Sequence, residues 1–381
     1  MTSASIVAAA ETRYTRHPLP TETTHAVLGT AVREAIAESG FSLADIDGFG
    51  VSSFTLEPDH AIDLAWRLGI RARWLMQDSN GGASAGNLLQ HAMRTVEAGD
   101  ASVIVLVAGD RMDASAFTRL VERYNLATEQ HLSPLPMAGP NPLFAMLTTR
   151  QMERWGLQEE DYGRLVVAQR DWAHLNPGAV YRTPLTVAEY LDAPLVAAPL
   201  RRFDCVPPVT GANAVIVAAD DRVKGAPRAR IRTVTTSFNR DHQEGDGLVT
   251  GVAESATRAW EQTGVDASDI DVLSVYDDYP AMVVAQLNDL GVVAAGDTSR
   301  FIAEKVATRE FALNTSGGQL SAGQAGSAGG MHGVVEVVRQ LQRRAGERQV
   351  SAPRIGVATG YGMVLYRYGA CGNVVVMEAA Q

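Results

Sequence analysis

The chain has 381 residues, 46% of them apolar and 20% charged, and a formal charge of −10. That size suits a large globular enzyme, and the acidic balance argues against a general nucleic-acid surface without excluding a local patch of cations for an anionic ligand. No apolar run is long enough to span a bilayer, Met1–Ala10 lacks the basic region of a signal peptide, and two cysteines, Cys205 and Cys371, form neither a disulfide framework nor a metal-ligand spacing, so a cytoplasmic protein without a bound metal or cofactor is expected.

Ser5–Ala10 reads as a first buried strand. Thr21–Ser39 reads as a helix, with Ala26, Val27, Ala31, Ala35 and Ile36 on its apolar side and a stop at Gly40. Asp45-Ile46-Asp47 then leads into a strand pattern ending at Val51, and Ala61–Leu68 reads as a short helix. Asp78–Asn87 is a small, polar, glycine-rich loop. It feeds a helix with Leu88, Leu89, Ala92, Met93 and Val96 on one face, and a strand follows at Ser102–Ala108. Such a loop at a helix N-terminus either offers free N–H groups to an anion or oxyanion, or lets the helix pack deeply.

From Asp110 to Leu200 the pattern changes. Prolines and methionines cluster between Pro134 and Pro142, and two helices follow, one through Phe144, Leu147, Met152 and Trp155, the other through Tyr162, Leu165 and Val166. Nothing later in the chain matches this region, so residues 111–200 read as an inserted cap. Gly211–Ala218 is a buried-strand pattern and Lys224–Pro227 a linker.

The chain then repeats itself. Asp266–Val275 echoes Ser42–Val51, with Asp45 and Asp269 lying 224 residues apart, and each copy follows a helix that stops at a glycine, Gly40 or Gly264. Asn314–Gly323 is a second polar, glycine-rich run. It precedes a helix with Val334, Val335, Val337, Val338 and Leu341, then a strand at Ile355–Ala358. A duplicated α/β unit is expected, residues 1–224 and 225–381, with the loops around Gly82 and Gly317 facing one pocket between the halves.

This layout resembles the thiolase superfamily, and within it the sterol-carrier and lipid-transfer type. The resemblance is carried by Phe144-Ala145-Met146, Met152-Glu153-Arg154-Trp155-Gly156, Asn176-Pro177-Gly178-Ala179, Pro184–Leu191, Phe203-Asp204-Cys205 and Asn314-Thr315-Ser316-Gly317-Gly318. It implies a five-layered α-β-α-β-α fold of two similar halves, usually dimeric. Three positions depart from the family pattern. Ala83 stands where a thiolase has its nucleophilic cysteine, Tyr276 where lipid-transfer-type members have histidine or asparagine, and Gln324 where a histidine is usual.

A thiolase scaffold without its cysteine, but with a tyrosine near the substrate oxygen, resembles the steroid side-chain aldolases, which cleave a β-hydroxyacyl-CoA without an acyl-enzyme. The resemblance implies Tyr276 as base or enolate donor, with Asp277 beside it and Gln324 opposite. Tyr361 or Tyr366 is a candidate for a second acid/base group. Ala83, Ser84 and Gly86 are expected to hold the thioester oxygen through backbone N–H groups, and Asn314, Gly317 and Gly318 to shape the pocket floor. Coenzyme A thioester is the implied substrate, and a homodimer with a small zinc-ribbon/OB-fold protein the implied assembly. The alternatives are a thiolase-like acyltransferase that uses Ser84 or a condensing enzyme that works by direct condensation, and a non-catalytic acyl-CoA-binding scaffold.

Overall fold

The computed structural model describes residues 2–135, 139–240, 244–365 and 368–380. The first half runs β1 (Ala4–Glu11), α1 (Thr24–Ser39), β2 (Gly48–Ser52), α2 (Ala61–Leu68), β3 (Trp74–Gln77), α3 (Ser84–Ala98) and β4 (Val103–Asp110). The cap follows as α4 (Ala114–Glu122), α5 (Pro140–Trp155), α6 (Glu159–His174), α7 (Val187–Leu191) and a small hairpin, β5 (Leu195–Ala197) and β6 (Leu200–Arg201). Strand β7 (Gly211–Ala219) returns to the first half. The second half is β8 (Arg228–Phe238), α8 (Gly251–Thr263), β9 (Val272–Ser274), α9 (Pro280–Asp289), α10 (Thr298–Phe301), α11 (Gly318–Ala322), α12 (Gly329–Leu341), β10 (Ile355–Leu365) and β11 (Tyr368–Ala380).

The large sheet has the order β3-β2-β4-β7-β1-β8-β11-β10-β9. Its two halves repeat one pattern. β1 pairs antiparallel with β7, β7 antiparallel with β4, and β4 parallel with β2; β8, β11, β10 and β9 follow in the same sense. The halves join where Ser5 and Ile6 of β1 meet Arg230 and Ala229 of β8.

Both sheet faces are buried, as alternating side chains require. Val103, Val105 and Val107 of β4 pack with α1 and α2. Ile104, Leu106 and Ala108 turn the other way, onto α3 and α12, which also receive Ala358, Val375 and Met377 from the second half. Val357, Val374 and Val376 face α8, α9 and the cap helices. The result is five layers, α-β-α-β-α. No helix among the described residues is long and apolar enough to cross a membrane.

The Asp-Ile-Asp repeat has a physical reason. Asp45 and Asp269 each close a capping box, accepting the N–H of Ser42 and Asp266. Asp47 accepts the N–H groups of Ser102 and Val103 at the start of β4. Asp271 does the same for Arg354 and Ile355 at the start of β10. Each motif thus sets the register of the parallel strand pair in its own half.

One expected equivalence is corrected. The turn before α3 is a 3₁₀ turn at Gly81–Ala83, and its counterpart before α12 is the 3₁₀ turn at Gly326–Ala328, not Asn314–Gly323. The Asn314 run instead holds the extra helix α11, which packs on α6. Both segments are rich in glycine because both pass through tight places, which made them look alike. The cap also contains two elements not among the sequence expectations, the β5–β6 hairpin and α4, whose N-cap Asp113 accepts the Ala116 N–H at 2.9 Å.

Candidate active site

The site is built on the segment leaving β9. Asn314 accepts the Val275 N–H through Oδ1 at 2.8 Å, Thr359 Oγ1 accepts the Tyr276 N–H at 3.2 Å, and Gln286 donates to the Tyr276 carbonyl at 2.6 Å. Pro280 in the first turn of α9 ends the segment. Side chains along this extended stretch alternate. Tyr276 and Asp278 therefore face a cleft of about 750 Å³, while Asp277 points into the protein.

Tyr276 donates its hydroxyl to Asp278 Oδ2 at 3.0 Å. Gln324 donates to Asp278 Oδ1 at 2.6 Å and lies 3.3 Å from the Tyr276 hydroxyl. The Gln324 backbone is itself fixed, its N–H to Pro207 and its carbonyl to the Val209 N–H. The rest of the cleft is mostly apolar, with Phe54, Phe117, Leu120, Val121, Leu143 and Phe144 on its walls. Tyr279 also lines it, stacked on Phe144 at 4.4 Å and donating to Asn141 Oδ1 at 2.5 Å. A few convergent polar groups at the base of an apolar cleft are the usual form of a small-molecule site.

Burial pushes the Asp278 carboxyl up to about 7, and the charge of Asp277 adds to the shift; hydrogen bonds from Tyr276 and Gln324 oppose it. Burial, with the neighbouring Asp278 charge, also raises the Tyr276 phenol well above its ordinary value. At neutral pH the pair is therefore a neutral phenol hydrogen-bonded to a carboxylate that is basic enough to take a proton.

The other expected site residues fall in different places. Asp277 accepts from Gln169 Nε2 at 2.6 Å and from the Gln319 N–H at 2.9 Å, so it clamps the start of α11 to cap helix α6. Burial pushes its carboxyl up to about 6. Ala83 and Ser84 spend their N–H groups inside the 3₁₀ turn, on the carbonyls of Asn80 and Gly81. The Ser84 hydroxyl is buried without a hydrogen-bond partner, and Gly86 is covered by Asn373. Of this loop, Gly82 is the residue on the cleft wall, joined from the second half by Gly326 rather than Gly317. Gly317 packs on Ala173, Gly318 on Asp277 and Gln169, and Asn314 is buried behind Val275. Tyr361 does not reach the cleft, because its hydroxyl accepts the Gly369 N–H across the β10–β11 hairpin at 2.6 Å. Tyr366 lies outside the described residues.

Gly82 gives a direct test of this packing. A β-carbon there would overlap the Tyr276 ring and crowd the Tyr361 carbonyl. Gly82→Ala is expected to displace Tyr276, lowering stability by about 1–3 kcal/mol and activity with it. Thermal unfolding and turnover measured together check this.

A second, open cleft of about 1610 Å³ shares Val206 with the first and carries Arg16, Arg170, Arg182 and Arg202. Among the described residues none of these four is in an ion pair. Arg170, 5% exposed, is held by Ser321 Oγ at 2.9 Å and lies over the rings of Tyr181 and Phe203.

The duplicated topology and the comparisons with known proteins agree. The sequence model of a family described as thiolase C-terminal domain-like matches residues 234–371. The chain is similar in sequence to that thiolase family over most of its second half, and its duplicated topology is that of thiolase-like folds. It is 28% identical over 368 residues to a steroid side-chain-cleaving aldolase of Thermomonospora curvata, covering 87% of this chain and 89% of the relative. It is 29% identical over 360 residues to the 17-hydroxy-3-oxo-4-pregnene-20-carboxyl-CoA lyase of Mycobacterium tuberculosis, covering 87% and 90%. An acetyl-CoA acetyltransferase of Methanothermobacter thermautotrophicus also matches, 27% identical over 86% of this chain and 88% of its own. Among solved structures, the Ltp2-ChsH2(DUF35) aldolase superposes with a TM-score of 0.84 at 25% identity, covering 99% of this chain and 98% of that one.

The sequence expectation put the acid beside Tyr276 at Asp277, with Asp278 only a fallback, and did not include Tyr124, which also lines the cleft. A signal existed for both. Asp278 is two residues from Tyr276 and shares its side of an extended chain. Phe117, Leu120, Val121 and Tyr124 follow the i, i+3, i+4, i+7 spacing of a helix face.

Proposed function

We propose that this thiolase-like protein cleaves the Cα–Cβ bond of a β-hydroxyacyl-CoA by a retro-aldol reaction, with no acyl-enzyme. The observation that carries the reading is the Tyr276–Asp278–Gln324 cluster at the base of the apolar cleft, which offers a carboxylate of near-neutral pKa and, among its described lining residues, no thiol. The names of the aldolase and lyase relatives support it. Asp278, working through or beside the Tyr276 hydroxyl, takes the β-hydroxyl proton. The C–O bond becomes a carbonyl, and the Cα–Cβ electron pair moves into a thioester enolate, which is reprotonated at Cα. Gln324 holds the carboxylate in place. The Gly82 N–H, in the first turn of its 3₁₀ helix and so without an intrahelical acceptor, lies on the cleft wall where an oxyanion would need a donor.

The apolar walls suit a bulky acyl group, and the arginine-lined cleft beyond Val206 suits the phosphates of coenzyme A. No resident cofactor is required by this chemistry. The reading places the enzyme in the cytoplasm, as two halves at residues 1–224 and 225–381, and as a homodimer with a small zinc-ribbon/OB-fold partner. The solved Ltp2-ChsH2(DUF35) aldolase, whose name pairs two components, supports a second protein.

Neither cysteine suits covalent catalysis. Burial pushes both the Cys205 and the Cys371 thiol up to about 12, so neither is a thiolate at neutral pH. Incubation with acyl-CoA followed by intact mass is expected to show an unmodified chain. Ser84→Ala is expected to keep turnover within a few-fold and not to lower the melting temperature, because it removes a buried hydroxyl that has no partner. An acyl adduct, or a severe loss in Ser84→Ala, would move the reading to the acyltransferase.

A further inference from the structure

The retro-aldol reaction needs a donor for the enolate oxygen as well as a base for the β-hydroxyl. Neither Tyr361, whose hydroxyl sits at the β10–β11 hairpin, nor Asn314, behind Val275, lines the cleft. The cap supplies another phenol. Tyr124 follows α4 and lines the same cleft as Tyr276 and Asp278, packing edge-on against Phe54 with ring centroids 6.1 Å apart. Its hydroxyl lies 2.9 Å from where a β-carbon of Gly81 would stand, and the Tyr276 ring occupies the equivalent place over Gly82. The two phenols thus flank one glycine pair, on the wall where the thioester is expected.

The cap helix is built for this position. Phe117, Leu120 and Val121 of α4 form an apolar stripe that continues to Tyr124, yet no residue of α4 is fully buried. An apolar helix face that is only half-buried, and that opens onto a cleft, is suited to covering a ligand. The segment after it is anchored, with Asn125 donating to the Val364 carbonyl of β10 at 3.0 Å and accepting the Thr128 N–H at 2.9 Å.

We propose that Tyr124 is a hydrogen-bond donor to the thioester oxygen, its hydroxyl stabilising the enolate without giving up its proton. The inference rests on the retro-aldol reading. The Tyr276–Asp278 pair takes the β-hydroxyl proton, the Cα–Cβ pair becomes the enolate held by Tyr124, and the proton on Asp278 returns to Cα. No other reagent enters the balance. The cap is then a catalytic part of the enzyme as well as a cover.

The test compares Tyr124→Phe, Tyr276→Phe and Tyr361→Phe in the full chain, using 17-hydroxy-3-oxo-4-pregnene-20-carboxyl-CoA, whose 17-hydroxyl is β to the thioester, or another β-hydroxyacyl-CoA that the wild type turns over. Tyr124→Phe keeps its ring on Phe54 and is expected to lower kcat by about 10²–10³ with KM within a few-fold, while Tyr361→Phe stays within a few-fold of wild type. Cα–deuterium exchange of the acyl-CoA product in D₂O, which reads enolate formation alone, is expected to fall in parallel in Tyr124→Phe. Near-wild-type turnover and exchange in Tyr124→Phe, with turnover lost in Tyr276→Phe, overturns the role of Tyr124 and leaves the reaction reading intact. Wild-type turnover in both variants overturns the reading as well.

Discussion

Replacing Asp278 with Asn is expected to lower kcat/KM by about 10²–10⁴ and, at the same time, to make the protein more stable above pH 7. The two effects have one cause. The carboxyl is buried, and its pKa stands at about 7 against an ordinary 3.8. The folded protein therefore binds a proton that the unfolded chain has lost between those pH values, and stability falls as pH rises through that window. Above it, the charged carboxylate costs the fold roughly 4 kcal/mol, which Asn avoids. The same carboxyl must be ionised to act as base, so wild-type kcat/KM is expected to fall below about pH 7. A pH–rate profile beside thermal melts at pH 5 and pH 8 checks both halves. If Asp278→Asn lost stability at pH 8, the carboxylate would be serving the fold.

Tyr276→Phe is expected to stay folded and lose about two to three orders of magnitude in turnover, the usual loss on removing one preorganised donor. The ring stays over Gly82 and the backbone remains tied to Thr359 and Gln286. Because the Tyr276 hydroxyl lowers the Asp278 pKa by bonding its carboxylate, the acid limb of any residual activity should move to higher pH. A downward shift, or turnover within a few-fold of wild type, would make the tyrosine structural.

The fold was legible where residues do the same backbone task twice. Asp45 with Asp47, and Asp269 with Asp271, cap a turn and pin a neighbouring strand in each half, so the repeat survived in the sequence. The glycine runs misled because glycine records only close approach, not what approaches. Gly82 meets Tyr276 and Gly317 meets Ala173, and only the first contact belongs to the cleft. In the site, Tyr276 and Gln324 were visible through departures from a family pattern. Tyr361 was attractive by type alone, and its hydroxyl is spent on a hairpin neighbour eight residues away. The cap helix α4 escaped notice because its apolar stripe is short and faces a ligand space, so it lacks the strong signal of a helix packed into a core.

The reaction itself is tested most directly by its products. The purified chain, with its partner protein if one copurifies, is incubated with a β-hydroxyacyl-CoA carrying ¹³C at the β-carbon, and the mixture is resolved by mass spectrometry. Retro-aldol cleavage predicts a free ketone or aldehyde holding the label and a shortened acyl-CoA without it, in equal amounts and with no added thiol. Label recovered in a new thioester, formed only when free coenzyme A is supplied, would contradict the account.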